Sequence, residues 1–276
     1  MDLWLTEFQT KNLGLTARIK ETLFTGKSEF QEVGVVDSWE FGRMLVLDGV
    51  FQTSIFDEFI YHEMIAHVPL AVHPNPKNVL VIGGGDGGTI REVVKHPTVE
   101  IAEMVEIDGM VVEACKKFLP EISTALINNH PKLRLKIGDG IGHMKDAENK
   151  YDVIIVDCSD PIGPGEGLFT HEFYKDAFKA LKEDGLFVQQ TESPFYHQPL
   201  IKRLHKDVTS LFPITRTYLA NIPLYPGGLH SFTIGSKKYD PIKVTPNIPD
   251  IATRYFNEDI FKSCFALPNF IREFLK

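Results

Sequence analysis

The chain has 276 residues, and 29 Lys and Arg side chains against 37 Asp and Glu side chains give a formal charge of −8 at pH 7. Apolar residues make up 43% and charged residues 24%, so the chain has the composition of a globular protein with a core and is not disordered. The acidic balance disfavours binding to a nucleic-acid backbone, which needs clustered Lys and Arg, and favours cationic partners.

The sequence carries no signal of membrane insertion or secretion. Residues 1–7 lack a basic segment followed by an apolar run, so no signal peptide is predicted. The longest uncharged stretch, residues 218–236, contains two prolines and several polar side chains, which disfavour a place in a bilayer. Cys115, Cys158 and Cys264 are far apart and predict neither a disulfide framework nor a zinc site. We therefore expect a cytoplasmic protein.

The N-terminal part has the pattern of a small antiparallel sheet. Between residues 16 and 55, apolar and polar side chains alternate with a period near two. The alternating runs are residues 15–19, 30–36 and 43–47. Turn signals lie at Gly26 and at residues 39–42, and Asp48-Gly49 is typical of a hairpin. Residues 1–56 are predicted to form a β-strand domain.

The remainder, residues 57–276, is predicted to be a doubly wound α/β domain. Residues 57–72 have a helical period, and after Pro76 short apolar runs alternate with amphipathic segments, as in βα units around a parallel sheet. The predicted strands are residues 79–82, 99–105, 133–137, 153–156, 186–189 and 214–220. The predicted helices lie near residues 88–95, 109–118, 140–146, 171–182 and 199–211. We expect a surface connection at 237–250 and a helical cover at 251–274.

A glycine-rich turn after the first strand of this domain is the sharpest local signal. Gly83, Gly85 and Gly88 have the G-x-G-x-x-G spacing, which lets a ligand approach the backbone but also serves tight strand-to-helix packing. Asp86 lies inside the turn, where a carboxylate repels the pyrophosphate of a dinucleotide and attracts an ammonium or sulfonium. The turn therefore favours an adenosyl ligand with positive charge. Capping of the next helix is the alternative role of Asp86.

Further acids follow the other predicted strands. Glu106 ends the second strand, where an acid accepts both hydroxyls of an adenosine ribose, and Asp108 is either the alternative acceptor or a cap of the next helix. Asp139 follows the third strand, with helix capping as its alternative role, and Asp157 ends the fourth. Ligands of open α/β sheets bind outside the carboxyl ends of the strands. These acids and Asp86 are therefore predicted to face one crevice.

A Gly/Pro-rich segment follows the fourth strand. Asp160 is either a substrate ligand or a turn residue, and residues 161–168 have the composition of a lid or of a surface loop. Tyr61 and Tyr225 are candidate polar groups of the site or core aromatics. The ten histidines have no metal-ligand spacing, so no metal is predicted.

Five ordered motifs resemble those of spermidine synthase, a polyamine aminopropyltransferase family. The motifs are Asp57-Glu58-Phe59 before Tyr61, Gly83-Gly84-Gly85-Asp86-Gly87-Gly88, Glu106-Ile107-Asp108, Gly138-Asp139-Gly140 and Asp157-Cys158-Ser159-Asp160-Pro161. The resemblance implies a methyltransferase-like (Rossmann-like) sheet preceded by a β-strand domain, in a homodimer or homotetramer. It also implies transfer of an aminopropyl group from decarboxylated S-adenosylmethionine to putrescine, which gives methylthioadenosine and spermidine.

The resemblance implies roles for single residues as well. Asp157 matches the catalytic proton acceptor of the family. The amine sites are implied at Tyr61, His62, Asp86, Asp157, Asp160 and Tyr225. The surroundings of the adenosyl group are implied at Gln31, Gln52, Asp86, Glu106, Asp139, Gly140 and Pro164. No resident cofactor is implied, because decarboxylated S-adenosylmethionine is a co-substrate. His62 departs from several relatives, which have Gln there, although a neutral imidazole also accepts from an ammonium.

The chemistry of the residues favours the same function. A primary amine has a pKa near 10.4, so its deprotonation at pH 7 costs roughly 3.4 units, or about 4.6 kcal/mol. A proton acceptor must therefore lie beside the amine; Asp157 has that position, and Tyr61 or water is the alternative route. Neighbouring carboxylates raise the pKa of such a group and bound cations lower it. Otherwise the enzyme aligns and neutralises two cations that repel each other.

Three other functions are weighed against this one. In an S-adenosylmethionine-dependent amine N-methyltransferase, the nearest alternative, the carboxylate of the donor would meet Asp86. In a nicotinamide oxidoreductase the pyrophosphate would meet the same charge. A polyamine-binding module without catalysis would need neither Glu106 nor the glycine-rich turn.

Overall fold

The computed structural model describes residues 2–159, 161 and 163–276, and of Pro164 only the backbone. Asp160, one of the predicted substrate ligands, lies outside the described residues. Within them, the chain forms a five-stranded and a seven-stranded sheet with helices. No helix in this described part is long and apolar enough to cross a bilayer.

The first sheet is antiparallel, and its strands are neighbours in chain order. They are β1 (Leu3–Thr10), β2 (Leu13–Lys27), β3 (Glu32–Ser38), β4 (Gly42–Leu47) and β5 (Val50–Ser54). The alternating pattern predicted this sheet but missed β1, whose Leu3, Trp4 and Phe8 are exposed rather than buried. The turn predicted at Gly26 was wrong, since β2 continues through that residue. The reversal follows it, where the hydroxyl of Ser28 accepts from the backbone N–H of Phe30.

Helix α1 (Glu58–Val72) joins the two sheets and is buried almost all round. It packs on the face of the second sheet, in a cluster that includes Met64, Ile65, Val81 and Ile155. The helix predicted at residues 57–72 is confirmed, although its burial on nearly every side leaves it no polar face. Its burial matters for the site, because it fixes the side chains of its first turns.

The second sheet has the strand order β11-β12-β10-β9-β6-β7-β8, which is a methyltransferase-like order. Its strands are β6 (Asn78–Gly83), β7 (Ile101–Glu106), β8 (Leu133–Ile137), β9 (Tyr151–Asp157), β10 (Leu181–Gln190), β11 (Ile214–Asn221) and β12 (Leu229–Ser236). Strands β6 to β10 pair in parallel, whereas β12 is antiparallel to both β10 and β11. Strand β12 was not predicted, because its His, Ser and Thr side chains are polar although all of them are buried.

Helices cover this sheet. They are α2 (Gly88–Lys95), α3 (Gly109–Phe118), α4 (Thr124–Ile127), α5 (Gly140–Lys145), α6 (His171–Ala180), α7 (Gln198–Leu211), α8 (Glu258–Ser263) and α9 (Asn269–Leu275). A 3-10 helix, Gly163–Phe169, follows β9. The predicted C-terminal cover is thus two short helices. Strand β6 lies between β7 and β9, so the carboxyl ends of these strands border the switch point where ligands of such sheets bind.

Candidate active site

A cleft of about 940 Å³ lies at the carboxyl ends of β6, β7 and β9. Ten of the twelve residues predicted for the site line it, namely Gln31, Gln52, Tyr61, His62, Asp86, Glu106, Asp139, Gly140, Asp157 and Tyr225. Of the other two, Asp160 and the side chain of Pro164 lie outside the described part of the chain. The acids at the carboxyl ends of the strands thus face one crevice, as predicted.

Asp157 is held at the cleft by the glycine-rich turn. Gly83 pairs with Asp157 at the ends of β6 and β9, and the N–H of Gly84 donates to the Asp157 carbonyl at 2.7 Å. Gly83 has φ +81°, and a Cβ there would overlap that carbonyl. The turn can therefore lie directly against β9 only with glycine at this position.

The two carboxylate oxygens of Asp157 have different surroundings. Oδ1 accepts a hydrogen bond from the hydroxyl of Tyr61 at 2.7 Å. Oδ2 is buried and has no hydrogen-bond partner among the described residues. Burial and the nearby carboxylate of Asp86 raise the pKa of Asp157, against the opposing effects of His62 and of the hydroxyls of Thr89 and Tyr61. A carboxylate with a raised pKa is a stronger base than an exposed one.

Glu106, rather than Asp108, is the acid that faces the cleft. Asp108 is buried; its Oδ1 accepts from the N–H of Met110, and its Oδ2 accepts from Ser28 at 2.7 Å and Gln31 at 3.0 Å. Burial, with further contributions from Asp108 and other nearby carboxylates, raises the pKa of Glu106 to about 7. Glu106 is thus a poorly solvated acid at the position where the sequence predicts that a ribose binds.

Asp86 and Asp139 both line the cleft and also bond to helix N-termini. Oδ1 of Asp86 accepts from the N–H of Gly88 at 2.7 Å. Asp139 accepts from the N–H groups of Ile141 and Gly142 at 2.9 and 3.0 Å. Asp139 is the N-cap of α5, so its capping and ligand-binding roles are compatible, because each carboxylate oxygen accepts more than one hydrogen bond. Asp86 is not the N-cap of α2, which is Gly87, so the capping role considered for Asp86 was wrong.

His62 lies between two carboxylates. Its Nδ1 is 2.6 Å from Oε2 of Glu58, and its Nε2 is 3.3 Å from Oδ2 of Asp86. A ring whose two nitrogens both face carboxylates donates from both and is a cation. Burial lowers the pKa of His62, but the charges of Asp86 and Glu58 outweigh burial and hold it well above the ordinary value. The neutral imidazole expected from the sequence is therefore not the form of the free site.

Glu58 and Arg91 support His62, and sequence analysis gave neither of them a role. Both terminal nitrogens of Arg91 donate to Glu58, at 3.0 and 2.8 Å. The spacing of Glu58 and His62, four residues apart on a helix, was the available signal.

A second chamber, of about 470 Å³, adjoins the cleft and shares Tyr61 and Tyr225 with it. Its other walls include Glu7 from β1 and Glu192 after β10, whose exposed fractions are only 5% each. His230 also lines it, and burial lowers the pKa of His230 to about 3, so this ring is neutral. The chamber is thus acidic. Sequence analysis missed both glutamates, although Glu192 follows the end of a predicted strand.

One group with metal-ligand chemistry lies elsewhere, where β9 begins. His73, Asp152 and Asp184 approach one another there. The ammonium of Lys182 is 2.9 Å from both oxygens of Asp152, and Nδ1 of His73 accepts from the N–H of Asn75. A lysine cation therefore already balances Asp152, and the cluster is remote from the cleft.

Comparison with known proteins identifies relatives of both parts of the chain. The model of the spermine/spermidine synthase domain matches residues 58–245, and that of the spermidine synthase tetramerisation domain matches residues 3–54. The polyamine aminopropyltransferase of Bacillus cytotoxicus is 55% identical over 100% of both chains. That of Caldicellulosiruptor bescii is 56% identical over 100% of this chain and 99% of the relative.

Solved structures agree with these matches. A crystal structure of spermidine synthase in complex with the transition-state analogue AdoDATO has a TM-score of 0.94 and 42% identity, and covers 99% of this chain and 94% of its own. Spermidine synthase from Thermotoga maritima has a TM-score of 0.92 and 41% identity, with the same coverage.

Proposed function

The chain belongs to the spermidine synthase family, and on that premise we propose that Asp157 accepts the proton when an aminopropyl group passes from decarboxylated S-adenosylmethionine to putrescine. The activity itself is aminopropyl transfer, as in the polyamine aminopropyltransferases that match the whole chain. The observation that carries the role of Asp157 is its buried Oδ2, which has no protein partner in the described part of the chain and lies at the cleft.

The donor occupies the cleft. Glu106 accepts the ribose hydroxyls, and Gln31, Gln52, Asp139, Gly140 and Pro164 surround the adenosyl group, while Asp86 takes the ammonium of the aminopropyl chain. The carboxylates of ionised Glu106 and Asp86 also partly neutralise the positive charge of the sulfonium. No resident cofactor or metal is proposed, because the sulfonium sulfur is itself the leaving group.

The acceptor lies in the second chamber, with its reacting nitrogen beside Tyr61, which borders both spaces, and beside Asp157, which lines the cleft. The nitrogen lone pair attacks the carbon bonded to sulfur, and the C–S electron pair stays on sulfur, so methylthioadenosine leaves as a neutral thioether. The amine proton passes to Asp157. Tyr225, Asp160 and the two glutamates of the chamber hold the rest of the diamine.

Glu7 and Glu192 line the second chamber, and we expect them to bind the second ammonium of the acceptor. Glu192→Gln is expected to raise KM for putrescine more than KM for the donor, since a hydrogen bond to a charged group contributes about 1.5–3 kcal/mol. Initial rates at varied concentrations of each substrate measure both constants. Equal changes in the two constants would place Glu192 outside the acceptor site.

Product analysis distinguishes this function from N-methylation, which the relatives do not favour. The purified protein is incubated with decarboxylated S-adenosylmethionine or S-adenosylmethionine and with putrescine, agmatine, cadaverine or spermidine, and products are identified by mass. We expect an aminopropyl increment on putrescine with the first donor. A methyl increment with the second donor would contradict the proposal.

The first sheet provides an assembly surface. Leu3, Trp4, Phe8 and Trp39 are exposed there, with exposed fractions of 52%, 56%, 74% and 56%. Trp4 and Phe8 share one face of β1, because alternate residues of a strand point the same way, and exposed apolar side chains on one face mark interfaces. With the tetramerisation-domain match over residues 3–54, they support a homotetramer rather than a homodimer. Light scattering should find a tetramer, and Trp4→Ser with Phe8→Ser a smaller species, while the control Ile242→Ser keeps the native mass.

Two further proposals concern the whole chain. No disulfide joins its three cysteines, all of which lie in the described part of the chain, and this supports a cytoplasmic location because a reducing compartment preserves thiols. We retain the division into a β-strand domain of residues 1–56 and a catalytic domain of residues 57–276. Limited proteolysis between the two sheets tests that boundary.

A further inference from the structure

The imidazole of His62 occupies a fitted site beside the glycine-rich turn. A Cβ on Gly88 would overlap the ring, so glycine at the start of α2 makes room for it. The ring is 2% exposed and meets the edge of the Tyr61 ring, with centroids 5.4 Å apart. The turn therefore accommodates a protein side chain as well as a ligand.

The charges that face this ring are Glu58 and Asp86 directly, Arg91 through Glu58, and Asp157 at longer range. The Tyr61 phenol adds no charge, because burial and Asp157 raise its pKa well above the ordinary value. In the free site, Arg91 balances Glu58 and the imidazolium balances Asp86. The negative charge of Asp86 is therefore already neutralised before any substrate binds.

A substrate ammonium on Asp86 would place two cations beside one carboxylate. Two like charges at such close range repel each other strongly in a poorly solvated site. The imidazolium can relieve this repulsion by losing a proton, whereas an alkylammonium with a pKa near 10.4 keeps its own. The ring is thus the group of the pair that gives up its charge.

We propose that an ammonium of the substrate, when it docks on Asp86, expels the Nε2 proton of His62 to solvent. The N–H bond breaks, its electron pair remains on Nε2, and this nitrogen then accepts a hydrogen bond from the ammonium. The Nδ1 proton stays with Glu58, which Arg91 holds in place. The number of charges beside Asp86 is the same before and after binding. The inference rests on the proposed binding of an ammonium by Asp86.

Two ligands that differ only at sulfur test this exchange. Methylthioadenosine carries no ammonium, and the thioether in which an aminopropyl group replaces its methyl group carries one. Each is titrated calorimetrically at pH 7 in phosphate and in Tris buffer, whose ionisation enthalpies differ, so that the protons released can be counted. Protons released by Glu106 on binding of the ribose are common to both ligands and cancel in the difference.

The aminopropyl thioether should release about one proton more than methylthioadenosine, because the free ring is charged and the bound ring is neutral. His62→Gln should abolish this difference, and the matched control His171→Gln, at an exposed position that does not line the cleft, should preserve it. Binding of methylthioadenosine by each variant reports a folded site. If His62→Gln does not fold, the difference in proton release between the two ligands in the wild-type protein still tests the exchange.

Equal proton release for the two ligands, or an undiminished difference in folded His62→Gln, would overturn the exchange. The product assay separates this failure from failure of the proposed function. Aminopropyl transfer without extra proton release refutes only the exchange. Absence of transfer under any condition refutes the proposed function, whatever the proton count.

Discussion

The hydroxyl of Tyr61 donates to Oδ1 of Asp157 across 2.7 Å; both residues are buried, Asp157 lines the cleft, and Tyr61 lines both the cleft and the second chamber. The bond orients the carboxylate and leaves Oδ2 for a substrate. The bond also lowers the pKa of Asp157. Burial and the charge of Asp86 raise that pKa, and their effects are larger than the effect of the bond. Tyr61 therefore acts as an orienting donor, because its own pKa is held well above the ordinary value and it remains protonated.

Tyr61→Phe should lower kcat by about ten-fold or more, because a hydrogen bond to a charged group contributes about 1.5–3 kcal/mol. Loss of the bond should also raise the pKa of Asp157 further, so the acid limb of the pH–rate profile should move to higher pH. The matched control is Tyr174→Phe, which removes a buried hydroxyl that has no partner among the described residues. Identical pH profiles for wild type and Tyr61→Phe would exclude this role.

Glu106→Gln should weaken binding of methylthioadenosine, since a neutral amide is a poorer acceptor for the ribose hydroxyls. Titration calorimetry at pH 8 measures the affinity. Unchanged affinity would remove Glu106 from the ribose site.

The same substitution should stabilise the free protein at high pH. The pKa of Glu106 is raised from 4.5 to about 7, so this group favours the folded state fully below pH 4.5 and loses that contribution as pH rises through about 7. Glu106→Gln is always neutral and should gain up to about 3 kcal/mol over wild type at pH 8. Denaturant unfolding at pH 5 and pH 8 tests this; a gain that is independent of pH would contradict it.

Gly88→Ala should destabilise the protein by about 1–3 kcal/mol, as overpacking does, because the new methyl group meets the His62 ring. The cost should largely disappear in a His62→Ala background, where the ring is absent, and a double-mutant cycle measures this coupling. Gly34→Ala, whose new methyl group would make only ordinary contacts, is the control. Equal costs of Gly88→Ala in both backgrounds would mean that helix packing, rather than His62, requires the glycine.

The sequence was sufficient to predict the sheet that carries the site and the acids at its strand ends. Glu106 and Asp157 follow apolar runs, and the geometry of parallel strands alone brings such residues together. Strand β1 was missed because several of its apolar side chains are exposed, and β12 because it buries His, Ser and Thr side chains beside Phe232 and Ile234. Periodicity detects a strand only when burial follows hydrophobicity.

Other parts of the site depend on contacts between distant segments. Glu7 reaches the second chamber from the first sheet and Glu192 from the second, so no local pattern relates them. The charge of His62 depends on Asp86, which the fold brings to its Nε2. Only its other partner, Glu58, was visible as a neighbour at helical spacing.

The pH dependence of Asp157→Asn tests the central claim most directly. This variant keeps the shape of the side chain and removes the base, so kcat near pH 7 should fall by about 10²–10⁴-fold while methylthioadenosine still binds. The deficit should shrink as pH rises toward the pKa of the amine, because free amine then needs no acceptor. A variant with near-normal kcat at neutral pH would contradict the account and move the proton to Tyr61 or water.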